Sequence, residues 1–265
     1  MTRFAPSTDE LLGRICVVTG SAGGIGREVA LILAKAGGRI ALIDRDQSGA
    51  RETSGLIAAH GGHALVVDCD TADPDSVETA HAIVAQQLGE VDILVNNAAI
   101  RRPGTLASLS LADWNAVIAV NLTGYFLCSQ VFSRGMRERG RGALVHISSV
   151  CAEMALPMAG AYSVAKAGVT MLSRQLALEW GPVGIRSNAV HPGMISTPRT
   201  DAIYERPGVR DQRSAILPSR RIGTPVDIAQ TVLFLASPRS DYINGAELVV
   251  DGGMTRNLMS FVPST

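Results

Sequence analysis

Ile15-Cys16-Val17-Val18-Thr19-Gly20-Ser21-Ala22-Gly23-Gly24-Ile25-Gly26 is the stretch on which the fold of this chain turns. Ile15 to Val18 is apolar without alternation, the pattern of a strand covered on both faces. It runs straight into a glycine cluster. Beyond that, Val29, Ala30, Leu33 and Ala34 share one helical face, and Gly37-Gly38 ends the helix. Ile40 to Ile43 reads as a second buried strand, closed by Asp44. Glycines let a backbone approach a pyrophosphate, and a helix start offers free N–H groups and partial positive charge. A carboxylate at the end of the second strand can accept both ribose hydroxyls of NAD and repels the extra phosphate of NADP. A glycine cluster alone can be a plain tight turn. The flanking strand, helix and acid are what favour a nucleotide. The spacing, Gly20-x-x-x-Gly24-x-Gly26, differs from the commoner G-x-G-x-x-G.

The alternation continues outward. Ala64–Val67 reads as a third strand before Asp68-Cys69-Asp70, followed by a helix from Pro74 to Leu88, with proline suited to its first turn. Ile93–Val95 is a fourth strand closed by Asn96-Asn97-Ala98-Ala99, and a long amphipathic helix runs from Leu111 through Asn121 to Met136. Ala143–Ile147 is a fifth strand ending in Ser148-Ser149, and a helix from Tyr162 reaches Trp180. A sixth strand near Ile185–Val190 ends in His191-Pro192-Gly193. An irregular stretch at 196–222, a helix from Pro225 to Leu235 and a last strand at Glu247–Val250 complete the series. Alternating strands and helices predict an α/β fold, a doubly wound parallel sheet. With no low-complexity linker and no internal repeat, residues 14–254 read as a single domain, with a loose leader at 1–13 and a tail at 255–265.

Composition narrows the function. Formal net charge is zero, which gives no reason to expect nucleic acid or an anionic membrane as partner. No apolar run reaches the length of a membrane span, and Met1–Glu10 lacks the apolar block of a secretion signal. Cys16, Cys69, Cys128 and Cys151 are widely spaced, with no C-x-x-C pair. They read as reduced thiols of a cytoplasmic protein, neither disulfides nor a zinc site, and no metal is expected.

Tyr162-Ser163-Val164-Ala165-Lys166 places a phenol and an ammonium one helical turn apart. A nearby ammonium favours phenolate, so such a pair can exchange a proton with an alcohol oxygen. Taken alone, the two are ordinary polar positions on a half-buried helix. Together with Thr19-Gly20-x-x-x-Gly24-x-Gly26, Asn96-Asn97-Ala98, Asn121, Ser149 and Pro192-Gly193, the chain resembles the short-chain dehydrogenase/reductase family from residue 14 to about 254. The resemblance implies a Rossmann-type sheet of seven strands, nicotinamide-dependent hydride transfer at an alcohol or carbonyl carbon, and a homotetramer or homodimer. It implies that Tyr162 is the general acid/base and that Lys166 lowers its pKa and holds the nicotinamide ribose. It further implies that Ser149, by spacing preferred to Ser148, holds the substrate oxygen, and that Asn121 holds a relay water. Cofactor contacts are implied at Gly20, Ser21, Gly24, Ile25 and Gly26, at Asp44 and Arg45, and at Asp70, Thr71 and Asn97. After the sixth strand they are implied at Pro192, Gly193, Ile195 and Thr197.

Two departures bear on these roles. Ala99 replaces a glycine usual in the family, and Arg45 follows Asp44 where NADP users often carry a basic residue. Asp44 weighs more heavily, because a carboxylate repels a phosphate, so NAD is expected and NADP is left open. In the family the segments 151–160 and 196–222 form the substrate pocket, the second as a lid. Met154, Leu156 and Met158 suggest a partly apolar pocket, whereas Arg199, Arg206, Arg210 and Arg213 read first as a solvated charged lid. Leu258, Met259, Phe261 and Val262 in the tail suggest a subunit interface. The expectation is therefore an NAD-dependent dehydrogenase of a secondary alcohol, polyol, sugar or steroid-like substrate. An NADPH-dependent carbonyl or 3-ketoacyl reductase and a non-catalytic NAD-sensing module remain as alternatives.

Overall fold

Apolar runs become the strands, and alternate residues of each strand feed two separate cores. The computed structural model describes residues 10–261 of the chain, with the side chains of 260 and 261 excepted. The strands are β1 (Ile15–Thr19), β2 (Arg39–Asp44), β3 (Ala64–Asp68), β4 (Ile93–Asn96), β5 (Gly142–Ile147), β6 (Ile185–Pro192) and β7 (Glu247–Val250). They form one parallel sheet in the order β3-β2-β1-β4-β5-β6-β7. Ten α-helices are described: α1 (Gly24–Lys35), α2 (Gln47–Ala59), α3 (Pro74–Gln87), α4 (Leu111–Ile118), α5 (Gly124–Phe132), α6 (Arg134–Arg139), α7 (Tyr162–Trp180), α8 (Pro198–Tyr204), α9 (Val209–Ile216) and α10 (Pro225–Ala236).

Cys16 and Val18 of β1, with Ile40 and Leu42 of β2, pack beneath α1 and α10. Ile15, Val17, Ala41 and Ile43 point the other way, onto α3, α5 and the end of α7. Each fully buried side chain of this size contributes about 1.5–3 kcal/mol, so a register slip that turned these faces over would be very costly. The chain lays down β1 to β3 in one direction and β4 to β7 in the other. The strand order reverses between β1 and β4, and a crevice opens outside the carboxyl ends of strands at such a point.

Several details depart from the sequence-based expectation. Helix α2 has no clear sequence signal, because its buried stripe is made of small residues, Gly49, Ala50 and Thr53, with Ile57. The long helix expected to reach Met136 is divided: a π-helical turn at Ala119–Thr123 joins α4 to α5, and α6 begins after Ser133. By length and apolarity alone, Leu111–Phe132 is sufficient for a membrane span, an exception to the reading above. Its Val117, Asn121, Tyr125, Cys128 and Phe132 are buried within the domain, which marks it as a core helix. The stretch 196–222 is not irregular. Thr197 and Thr200 form a capping box with Pro198 in the first turn of α8, and α9 follows. Tyr204, Leu217 and Ile222 bury a small separate core there with Met194 and Met254. Of the leader expected at 1–13, residues 1–9 lie outside the described residues. Leu11 is buried, and its N–H donates to Ala36 O at 2.8 Å. The tail positions 262–265, including Val262, also lie outside them.

Candidate active site

The glycine turn after β1 is held from both sides. Gly20 (φ 66°) lies against β4: a Cβ there would stand 2.7 Å from Ala98 Cα. A Cβ on Gly26 would stand 2.0 Å from Gly20 O. Asn97 Nδ2 donates to Thr19 O and Gly20 O, both at 3.0 Å, and Thr19 Oγ1 accepts from the N–H groups of Asn97 and Ala98. These bonds fix the ends of β1 and β4 across the strand-order reversal. Helix α1 starts behind Gly23 with no side-chain cap, and the space that a Cβ on Gly23 would enter is open to 4 Å. Uncapped N–H groups facing open space fit a pyrophosphate, so the residues present accept a dinucleotide.

The residues expected to contact the nucleotide are placed as follows. Asp44 Oδ2 accepts from Ala22 N at 2.9 Å, and Oδ1 accepts from Asp46 N at 3.0 Å, which fixes the carboxylate beside the glycine turn. Ser21 is buried, and its hydroxyl donates to Ile43 O. Arg45 is turned away onto Asp70, with Nη1 to Oδ2 at 3.1 Å. Thr71 is buried against Gly124, where a Cβ would stand 2.8 Å from Thr71 O. From the far side of the crevice, Thr197 stands next to Gly24, 3.6 Å from where a Cβ would lie. Pro192 ends β6, Gly193 N donates to Val250 O, and Ile195 bridges to Gly223. Ile25, in the first turn of α1, packs against the core beneath α1 and α10.

The proton-handling groups stand at the ends of β5 and α7. Ser149 Oγ accepts from Cys151 N at 3.1 Å, and its hydroxyl stands close enough to the Tyr162 phenol to lower its pKa. Ser148 is committed elsewhere: its buried hydroxyl donates to Lys166 O at 2.9 Å and pairs with Thr170 Oγ1. Asn121 is fully buried in the π turn, where Oδ1 accepts from Ile100 N at 2.8 Å and Nδ2 donates to Ile100 O at 2.9 Å. Its side chain is a clamp on the segment after β4.

Sequence reasoning missed Tyr125. It is fully buried on α5, its Oη donates to Ile147 O at 3.0 Å, and it accepts from Lys166 Nζ at 3.0 Å. Lys166 Nζ also donates to Ile147 O at 2.7 Å. The available signal was spacing, since Asn121 and Tyr125 put two polar groups one turn apart on an apolar helix. Burial pushes the Lys166 ammonium down to about 7. Burial is also the largest influence on Tyr162 and raises its phenol, while Arg101, the Ser149 hydrogen bond and Arg199 pull the other way. Lys166 Nζ lies 5.8 Å from the Tyr162 ring centroid and donates its hydrogen bonds to Tyr125 Oη and Ile147 O.

Nor did the sequence suggest a metal ligand set. Glu153, His191 and Glu247 nevertheless place ligand atoms within 4.8 Å of one another. Glu247 is already paired with Arg174, and His191 Nε2 bonds Thr170 Oγ1. Two of the arginines expected in the lid are occupied within it: Arg210 and Arg213 flank the Tyr204 ring at 5.4 Å each.

A family model described as enoyl-(acyl carrier protein) reductase matches residues 20–255. D-threitol dehydrogenase of Mycolicibacterium smegmatis is 39% identical over 92% of this chain and 93% of that protein. The crystal structure of a putative gluconate dehydrogenase from Agrobacterium tumefaciens superposes with a TM-score of 0.89 at 38% identity, covering 93% of this chain and 97% of that one. A gluconate 5-dehydrogenase from Burkholderia cenocepacia, solved in complex with NADP and tartrate, gives a TM-score of 0.88 at 35% identity over 93% and 96%. Agreement of sequence, fold and site along nearly the whole chain places it in the short-chain dehydrogenase/reductase family, as an NAD(P)-dependent oxidoreductase of alcohol and carbonyl groups.

Proposed function

We propose that this chain is an NAD-dependent dehydrogenase that converts a secondary alcohol of the polyol or sugar type to its ketone. The observation that carries the reading is the Tyr162 phenol with the Ser149 hydroxyl beside it and Lys166 one helical turn behind, Nζ 5.8 Å from the Tyr162 ring centroid, in a chain with an uncapped glycine turn. Kinship to proteins named for threitol and gluconate supports a hydroxylated substrate; a steroid-like alcohol has no comparable support. The nicotinamide, when bound, supplies the hydride acceptor. Ser149 donates to the substrate oxygen and fixes it against Tyr162, which takes the alcohol proton or returns one to the carbonyl. A phenol raised by burial is protonated at neutral pH. Tyr162 is therefore set to give a proton to a ketone, and alcohol oxidation gains from alkaline conditions. Lys166 stands one turn behind Tyr162, and Asn121 positions the 99–101 segment through Ile100.

NAD is favoured over NADP. Asp44 presents a carboxylate where the extra phosphate would sit, and Arg45 is neutralised by Asp70. An NADPH-dependent reductase needs that arginine free. Assembly as a homodimer or homotetramer is supported by an apolar stripe along α7, Val164, Ala167, Met171 and Leu178, exposed beside Phe126 of α5, and by exposed Leu258 and Met259 in the tail. Sedimentation at the mass of one chain would remove that part. A cytoplasmic location is supported by four free cysteines.

Initial rates on secondary alcohols, polyols, sugars, hydroxysteroids and 3-hydroxyacyl thioesters, with NAD and NADP in parallel, test the reading. Turnover only with NADP would overturn the cofactor assignment. Tyr162→Phe should lower kcat by about 10²–10⁴-fold while nucleotide binding persists. A fully active variant would sink the proton role, and a wild type that binds NAD but turns over none of these substrates would point to a nucleotide sensor.

A further inference from the structure

Two guanidinium groups without a carboxylate partner stand around the segment that leads to Tyr162, and the charge of each lowers the pKa of its phenol. Arg101 Cζ lies 4.6 Å above the Tyr162 ring centroid. Arg199, in the first turn of α8, reaches back to the same segment, where Nη1 donates to Ala99 O at 3.0 Å. Neither forms an ion pair among the described residues, whereas neighbouring Arg102 is paired with Asp113 and Arg221 with Asp227. Ile100 is clamped through both its N–H and C=O by the Asn121 amide. Gly104, on the far side of Arg101, donates to Met158 O and accepts from Gly160 N. Arg199 follows the Thr197–Thr200 capping box. Both arginines thus rise from anchored backbone, one on each side of Ala99.

We propose that Arg101 and Arg199 form an anion subsite beside Tyr162 that selects a hydroxy acid, an alcohol with a carboxylate close to its carbinol carbon. The proposal rests on the dehydrogenase reading for its placement of the carbinol oxygen at Tyr162 and Ser149. A carboxylate that reaches both guanidinium groups takes charge-assisted hydrogen bonds from planar donors. Arg199 spends one donor on Ala99 O and keeps the rest of its fork. Arg101 spends the face of its guanidinium on the phenol and keeps its edges. Exposed Leu156 and Met158, on the segment that Gly104 bonds through Met158 O, can cover the carbon skeleton. A rival role for the pair, acting on the Tyr162 proton alone, would help charged and uncharged alcohols equally. The two roles differ in one ratio.

That ratio is read by calorimetric titration of acid and amide pairs, 2-hydroxybutyrate, 3-hydroxybutyrate and D-gluconate each against its own amide, into the full chain in the presence of NADH. The wild type should bind at least one acid roughly tenfold or more tightly than its amide, the scale of one charge-assisted contact. Arg101→Met and Arg199→Met should each pull that ratio toward one. Any general loss from repacking cancels in it, and residual amide binding shows that the variant is folded. A wild-type ratio near one in all three pairs overturns the subsite, as does a ratio that both variants leave unchanged. Turnover of the same compounds with NAD separates the two claims. Oxidation of the amides with no preference for acids keeps the dehydrogenase and removes the subsite. Acid-selective binding without any turnover does the reverse.

Discussion

Lys166 shows how a single residue's partners decide its chemistry. A buried ammonium must find acceptors, and it has two in the structure, Tyr125 Oη and Ile147 O. Tyr125 in turn donates to the same Ile147 carbonyl, and its ring stacks on His146 at 6.2 Å. Tyr125→Phe keeps the ring and its packing but removes the hydroxyl, so Lys166 loses one acceptor and Ile147 O loses one donor. The expected cost is about 1–3 kcal/mol of stability, the price of leaving buried polar groups short of partners. The Lys166 pKa should also fall further below about 7, since the charged form is the one that loses a bond. Thermal unfolding and the pH dependence of turnover measure the two effects. An unchanged melting temperature and pH profile would show that Ile147 O alone satisfies the lysine. A tyrosine in an apolar helix reads as core filler in the sequence. Only the fold shows that it faces the end of β5 and the buried lysine of α7.

Among the elements, the β1–α1 turn is the most tightly specified, and its neighbouring glycines are not equivalent. A Cβ on Gly26 would stand 2.0 Å from Gly20 O, backbone that cannot yield, whereas nothing lies within 4 Å of the same atom on Gly23. Gly26→Ala should therefore push α1 away from β1, lower stability by about 1–3 kcal/mol and weaken NAD binding. Gly23→Ala should leave stability nearly unchanged and affect only the nucleotide. Equal melting temperatures for the two variants would contradict this packing. The contrast also shows what was legible. The glycine turn, the strands and Tyr162-x-x-x-Lys166 are local patterns, and strand periodicity with glycine placement carries them in the sequence. The π turn at Ala119–Thr123 is not local: there the Asn121 amide clamps Ile100, 21 positions away. Helix α2 was invisible for a different reason, since small residues bury it and leave no apolar stripe. The lid helices α8 and α9 each span two turns, too short for periodicity, although Thr197-Pro198-x-Thr200 did carry a start signal. Arg101 and Arg199 could be counted in the sequence, but the placement of Arg101 over the Tyr162 ring and of Arg199 on Ala99 O could not.

At the scale of the whole molecule, buried bases that fold nearly uncharged make stability depend on pH. His146 lies between Asn96 Nδ2 at 3.2 Å and Ser187 Oγ at 3.1 Å, and burial pushes it from 6.5 down to about 3. Lys166 falls from 10.5 to about 7, for the same reason. The unfolded chain thus binds the extra proton on His146 between about pH 3 and 6.5, and the extra proton on Lys166 between about 7 and 10.5. Where the unfolded state holds more protons, raising the pH favours the native state, so stability should climb through both windows. Thiols oppose the climb at its upper end. Burial raises Cys16, Cys69 and Cys128 above their ordinary 9.0, so from there upward the unfolded chain sheds protons that the native chain keeps. Stability should therefore peak near pH 9, well above the neutral isoelectric point. Denaturant titrations at pH 5, 7, 9 and 10.5 trace the curve, and one proton contributes at most about 1.4 kcal/mol per pH unit. Lys166→Met removes the upper proton while keeping an unbranched apolar stem, so the rise between pH 7 and 9 should flatten in that variant. An equally steep rise would mean that the lysine folds as an ammonium. It would then be free to act on Tyr162 as a charge, and the phenol would titrate lower than its burial alone dictates.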